Sequence, residues 1–172
     1  DSKKRLLKDN GKMIPESGAI MIALLANTPE VERMVFVKPG RHYKLSKFNE
    51  ITQHKFSFHM KDEPIILSSP EPAFSFDFYK MEAIQKGSKI LELTVIKDGM
   101  CAGVIQWINV NLYGEIKYEN NPTQMYREAG TPSSWMTPIY RFDKPTFLKR
   151  GQVVKINATL FEDSVWFSEF KK

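Results

Sequence analysis

The chain has 172 residues, 42% of them hydrophobic and 26% charged, which fits one globular domain and excludes a disordered tail. Its longest apolar run, Ala19 to Ala26, spans eight residues, short of the roughly 20 that a membrane-spanning helix needs, so no membrane partner is expected. The net charge of +5 sits at the two ends, with Lys3, Lys4, Arg5, Lys8 and Lys12 against Asp1 and Asp9 at one and Lys171 and Lys172 at the other. The body from 13 to 170 is neutral, which argues against a nucleic-acid-binding face along the folded elements.

Residues 1 to 12 read as a short helix end followed by a loop, with Asn10-Gly11 as a turn signal and Pro15 soon after. Ala19 to Leu25, bounded by Gly18 and Pro29, has no room for a long helix and reads as a buried strand. Arg33 to Lys38, closed by Pro39-Gly40, is a second candidate strand. Between 41 and 80, Pro64, Pro70 and Pro72 interrupt the pattern. Phe56-Ser57-Phe58 and Phe74-Ser75-Phe76-Asp77-Phe78 nevertheless alternate aromatic with polar residues, the period of half-buried strands.

Lys89 to Ile96 and Ala102 to Leu112 flank Lys97-Asp98-Gly99, and the Asp-Gly step predicts a hairpin between them. Val104, Ile108, Val110 and Leu112 share one face while Ile105 and Trp107 make the other partly apolar, as in a central strand. Val154, Ile156, Ala158 and Leu160 alternate with Lys155, Asn157 and Thr159 just after the turn Lys149-Arg150-Gly151, and Val165 to Phe170 reads as a last strand. No internal repeat is present. Several short strands at close spacing imply a mainly β chain, an antiparallel barrel or sandwich.

No Gly-x-Gly occurs among the nine glycines, so neither a Rossmann fingerprint nor a phosphate loop is present. His54 and His59 lie an odd number apart, which in a regular strand puts them on opposite faces. With His42 they make no metal set, and no nucleophile elbow accompanies them. Cys101 stands alone, so there is no internal disulfide; it reads as a small buried residue in a reducing, intracellular setting. Asp62-Glu63 and Glu162-Asp163 read as solvated turn charges. Asn157-Ala158-Thr159 matches a glycosylation acceptor, but the lone cysteine argues against secretion. One segment, Gly130-Thr131-Pro132-Ser133-Ser134-Trp135-Met136-Thr137-Pro138, holds a Trp between small polar residues and two prolines. An exposed Trp on a stiff loop can line a pocket and offer a face to a cation, but composition alone favours a Trp that caps the barrel core.

Taken in order, Ala102-Gly103-Val104-Ile105-Gln106-Trp107-Ile108-Asn109-Val110-Asn111-Leu112, Asn121-Pro122, Ser134-Trp135, Phe142-Asp143-Lys144-Pro145 and Lys149-Arg150-Gly151-Gln152-Val153-Val154 resemble the C-terminal β-barrel domain of protein arginine methyltransferases. Leu6-Leu7-Lys8-Asp9-Asn10-Gly11-Lys12-Met13-Ile14-Pro15, followed by Ala19 to Leu25, is similar to the stretch by which that family leaves its cofactor-binding domain. Tyr43-Lys44-Leu45-Ser46-Lys47-Phe48-Asn49 resembles the segment after the first barrel strands.

The resemblance implies that residues 1–28 end an upstream Rossmann-like methyltransferase domain and that 29–172 form a β-barrel substrate-binding domain. It places the S-adenosyl-L-methionine site and the two catalytic glutamates in that upstream domain. This chain would then hold no catalytic, cofactor or metal residue, and would form one wall of the groove for an arginine-containing protein substrate. Trp135 matches the Trp of the family's Thr-His-Trp loop, with Ser133 and Ser134 in place of the first two residues and Thr137 where Gln is common. That departure fits a symmetric-dimethylating subgroup or a degenerate half of a tandem enzyme, of the nine-type or seven-type. Two readings stay open, a catalytic-module barrel and a non-catalytic scaffold barrel, beside a third, an independent ligand-binding β domain. Residues 49 to 73 are Pro-interrupted without a helical stripe, which argues against an arm-mediated homodimer. The implied compartment is intracellular, cytoplasm or nucleus.

Overall fold

The computed structural model describes residues 5–8, 11–38, 40, 43, 45–58, 62–81, 83, 84, 86–124 and 135–170. Among the described residues, nine strands carry the fold: β1 Ser17–Ala26, β2 Lys55–Phe58, β3 Glu71–Asp77, β4 Gly87–Thr94, β5 Gly99–Tyr113, β6 Ile116–Glu119, β7 Thr137–Leu148, β8 Val153–Leu160 and β9 Val165–Glu169. They form a larger sheet in the order β2-β7-β5-β1-β3, with β6 also paired to β5, and a smaller sheet β4-β8-β9. Every pairing is antiparallel.

The two-sided apolar pattern of β5 follows from its place between β1 and β7. On one face Val104 joins Ile22, Leu24, Tyr140 and Phe142 against Leu93, Val154, Ile156, Ala158 and Phe167 of the smaller sheet, closing the main core. On the other, Ile105 and Trp107 pack with Ala23, Leu25 and Ile139 beneath Val31 and Val35 of the helix Pro29–Val35. Each such aliphatic side chain contributes roughly 1.5–3 kcal/mol by leaving water. The alternation read in β8 is borne out, with Val154, Ile156, Ala158 and Leu160 all buried.

Two local expectations are corrected. Arg33 to Lys38 is not a strand, because Thr28 starts a helix ahead of it: Val31 N donates to Thr28 Oγ1 at 3.2 Å, Pro29 occupies the first turn, and Glu30 and Glu32 lie at the positive end of the helix. Val31, Met34 and Val35 then recur at helical spacing and cover the second core face. The hairpin expected across Lys97-Asp98-Gly99 does not form. β4 pairs with β8 and β5 with β1, β6 and β7, so the segment is a corner between sheets. Asp98 serves that corner by accepting from Arg150 N at 2.6 Å.

β1 lies deep inside the larger sheet, hydrogen-bonded to β3 on one side and to β5 on the other. Between Cys101 and Gly103 the β5 register with β7 shifts, and on its other side a shift falls at Leu25/Ala26. These bulges bend the long β5 so that it serves both core faces. The residues read as an interrupted stretch from 49 to 73 contain a one-turn helix, Phe48–Ile51 reaching just before them, and no longer helix among the described residues. No helix among the described residues is long and apolar enough to cross a membrane.

Candidate functional site

Trp135 stands at the entry to β7, beside the β5–β6 hairpin. It is 57% exposed, so it does not cap the core; Trp107, 1% exposed, is the Trp that the core buries. The Trp135 ring meets Tyr118 of β6 edge-on, with centroids 6.2 Å apart and planes at 67°. One indole face is thereby steadied by a phenol edge while much of the ring stays open, a setting in which an aromatic face attracts a flat cation.

The hairpin under this pair is fixed by side chains rather than by length of strand. Trp107 Nε1 donates to Glu119 Oε1 at 2.6 Å and Asn109 Nδ2 to Glu119 Oε2 at 3.3 Å. The buried Asn120 accepts from Ile108 N at 2.8 Å, and Asn121 Oδ1 accepts from Thr123 N and Gln124 N. A carboxylate that binds a buried indole N–H is held as a charge-assisted partner. The chain after β6 therefore leaves at a set angle.

Opposite, β7 carries an element that sequence reasoning passed over. Arg141 is 2% exposed, with its guanidinium spread over main-chain oxygens: Nη2 donates to Asn49 O and Thr52 O, Nε to Gln53 O, and Nη1 to Phe142 O. Nη2 also donates to Thr52 Oγ1 at 2.8 Å, and the group lies 5.3 Å over the Phe36 ring. Burial lowers its pKa and Asp143 works against that shift. The side chain thus fastens the carbonyl end of the one-turn helix Phe48–Ile51 onto the sheet.

No protein-family model matches the chain. It is 26% identical over 157 residues to an arginine N(omega)-methyltransferase of Streptomyces achromogenes subsp. streptozoticus, covering 90% of this chain and 41% of that protein. In three dimensions it matches a chain of the Trypanosoma brucei PRMT1 enzyme-prozyme heterotetrameric complex with AdoHcy at a TM-score of 0.68 and 15% identity, covering 92% of this chain and 51% of that one. The fold is thus shared with a chain of that methyltransferase complex, and the sequence is similar to an arginine N(omega)-methyltransferase. The chain spans about half or less of the length of these relatives.

Within this fold, the predicted residues are placed unevenly. Ser133, Ser134, His42 and His59 lie outside the described residues. His54 precedes β2, its Nδ1 3.4 Å from Arg141 O and 3.8 Å from Asp143 Oδ1. Among the described residues no group of three or more His, Cys, Asp or Glu could hold a metal ion. Cys101 is fully buried, and burial pushes its thiol up to about 12, which removes the thiolate that a nucleophile needs. Asp62 donates its N–H to Glu30 and Glu162 pairs with Lys86 at 2.8 Å. Tyr118, Glu119, Asn120 and Arg141 were not singled out in the sequence. Only Tyr118 had a signal there, its period-two spacing with Ile116 after the Gly114 turn.

Proposed function

We propose that this barrel forms one wall of an arginine-substrate groove, working with a preceding domain that binds S-adenosyl-L-methionine and transfers its methyl group. The observation that carries this reading is the exposed Trp135 ring held against Tyr118 at the mouth of β7. The cofactor supplies the methyl group; the barrel's part is to position. A guanidinium is flat, cationic and weakly hydrated, so an indole face can stack on it, shed its water and limit how it turns. Restricting that rotation places one nitrogen for transfer, and the gain is one of orientation. The carboxylates that bind the guanidinium lie, on this reading, in the preceding domain, which joins the barrel ahead of β1.

The similarity to an arginine N(omega)-methyltransferase supports the arginine chemistry, and the enzyme-prozyme heterotetramer whose chain shares this fold supports a second polypeptide as a partner beside the protein substrate. A second reading, a scaffold barrel from a degenerate tandem half, is favoured by Ser133 and Ser134 where the family has Thr-His. An intracellular setting, cytoplasm or nucleus, accords with the single cysteine. The test is labelled-methyl transfer to Arg-rich proteins by the chain extended through its preceding domain. Transfer that collapses in Trp135→Ala supports the groove wall. A folded extended protein that neither transfers methyl nor binds S-adenosyl-L-methionine overturns it and leaves the scaffold.

A further inference from the structure

At one end of the barrel, two polar side chains point inward among aliphatic and aromatic neighbours. Gln106 lies between Ile105 and Trp107, which both pack on the face covered by the helix Pro29–Val35, so it projects the other way, into the barrel, opposite Ile22 in register. Lys55 does the same on β2. Its neighbour Phe56 packs with the helix-covered face, and Lys55 itself pairs in register with Tyr140, whose ring belongs to the main core. Both side chains are half-buried.

Tyr140 gathers the two groups and satisfies neither. Its hydroxyl donates to Gln106 Oε1 at 2.8 Å, while Gln106 Nε2 has no acceptor among the described residues. Lys55 Nζ stands 5.2 Å over the Tyr140 ring and has no carboxylate partner among them; a π face offsets only part of what an ammonium loses on leaving water. A cavity of about 460 Å³ opens here, lined by Lys55 and Gln106 together with Ile20 of β1, Phe76 of β3 and Leu160 of β8. The turn between β8 and β9, closed by Phe161 N donating to Ser164 O at 2.8 Å, completes the lining and carries Glu162 and Asp163. Glu162 pairs with Lys86 at 2.8 Å, so Asp163 is the acidic group left at the rim.

We propose that this barrel mouth binds a small apolar monocarboxylate, of the class of a medium-chain fatty acid. A few converging polar groups in an otherwise hydrocarbon cavity of this size are the features of a small-molecule site. The carboxylate accepts from Lys55 Nζ and Gln106 Nε2, and the tail lies against Ile20, Phe76 and Leu160. Charge selects the class. An ammonium would meet Lys55, an uncharged amide forgoes the ion pair, and a second carboxylate would meet Asp163 at the rim. The proposal is independent of the methyl-transfer reading.

The test is isothermal titration calorimetry of octanoate into the 172-residue chain, with octanamide, octylamine and the diacid suberate as comparisons. The expected result is saturable binding of octanoate, at least tenfold tighter than any of the three. Lys55→Met lowers octanoate affinity at least tenfold, to that of octanamide, and leaves octanamide binding unchanged. Gln106→Glu keeps an acceptor for the Tyr140 hydroxyl but sets a carboxylate where the ligand's would lie, and it too weakens octanoate at least tenfold; circular dichroism confirms that both variants fold. Absence of saturable octanoate binding, equal affinity for octanoate and any of the comparison compounds, or unchanged octanoate affinity in both folded variants each overturns the proposal. Self-association of Lys55→Met, with no octanoate binding to the unsubstituted chain, would also overturn it and make Lys55 a guard of the β2 edge.

Discussion

Gly103 meets Tyr140 backbone to backbone: a Cβ placed on Gly103 would overlap the Tyr140 carbonyl oxygen and come within 2.7 Å of Arg141 Cα. The close approach lies at the bulge where β5 bends between the two core faces. No flexible side chain is available to give way, so Gly103→Ala must push two main chains apart. The expected cost is about 3 kcal/mol or more. Urea unfolding checks it, with a lower midpoint at unchanged slope; a loss under about 1 kcal/mol would contradict the packing described.

Arg141 binds four main-chain carbonyls, among them those of Asn49, Thr52 and Gln53. Replacing it by Met leaves those carbonyls without their donor, and the expected destabilisation is about 2–4 kcal/mol. Arg141→Lys keeps the charge but lacks the planar fork, and recovers less than half of the loss. The specific signature is local: limited proteolysis between 45 and 54 should accelerate in both variants before global unfolding does. Equal proteolysis of wild type and variants in that stretch would show that the guanidinium does not hold it.

Cys101 gives the fold a dependence on alkaline pH. Its thiol is raised from 9.0 to about 12 by burial, so between those values the unfolded chain has released a proton that the folded chain keeps. Stability is therefore intact below about pH 9 and falls as pH rises toward 12, at up to about 1.4 kcal/mol per pH unit from this group. Cys101→Ala removes that contribution and flattens the decline between pH 9 and 10; above pH 10 Tyr140, also raised by burial, adds its own. Chemical unfolding at stepped pH measures the difference, and parallel curves for the two proteins would refute the assignment. In the native state at pH 8, a thiol reagent should label Cys101 only through unfolding.

Trp135 separates stability from function. With the ring 57% exposed, Trp135→Ala should change unfolding free energy by no more than about 0.5 kcal/mol. In the chain extended through a preceding methyltransferase domain, the same change is expected to lower methyl transfer at least tenfold, about 1.4 kcal/mol of transition-state stabilisation, with Trp135→Phe in between. A variant that loses transfer in proportion to lost fold would instead make Trp135 a structural residue.

Glu119 can be tested through the indole it holds. Glu119→Gln keeps an acceptor for Trp107 Nε1, while Glu119→Leu leaves that N–H unsatisfied beside the core. Costs of about 0.5–1 and 2–3 kcal/mol are expected, accompanied in the Leu variant by a shift in Trp emission.

Legibility in the sequence followed how local each cause is. β8 was readable because one face of it meets water, so apolar and polar residues alternate from Val154 to Leu160. β5 was readable as central because both its faces are covered. Asp98-Gly99 misled, since a turn signal fixes where the chain bends and not which strand it pairs with next. The helix Pro29–Val35 was masked by Val35, Phe36 and Val37, whose β-branched and aromatic character outweighed the Thr28-Pro29 start in a short window. Trp135 stood out by its polar surroundings. Arg141 did not, because its partners are main-chain oxygens of residues 49 to 53 and of Phe142, and a carbonyl has no sequence signature.

The position of β1 has a consequence for synthesis. Ser17 pairs with Asp77 on one side and Asn111 on the other, so this strand is made before both of its partners and cannot be enclosed until residue 111 has followed. Ile22 to Leu25, apolar on both faces, must wait uncovered while the intervening chain is translated, which is when such a strand is most open to wrong partners. The burden of shielding it during that interval falls on chaperones or on whatever has already folded ahead of it.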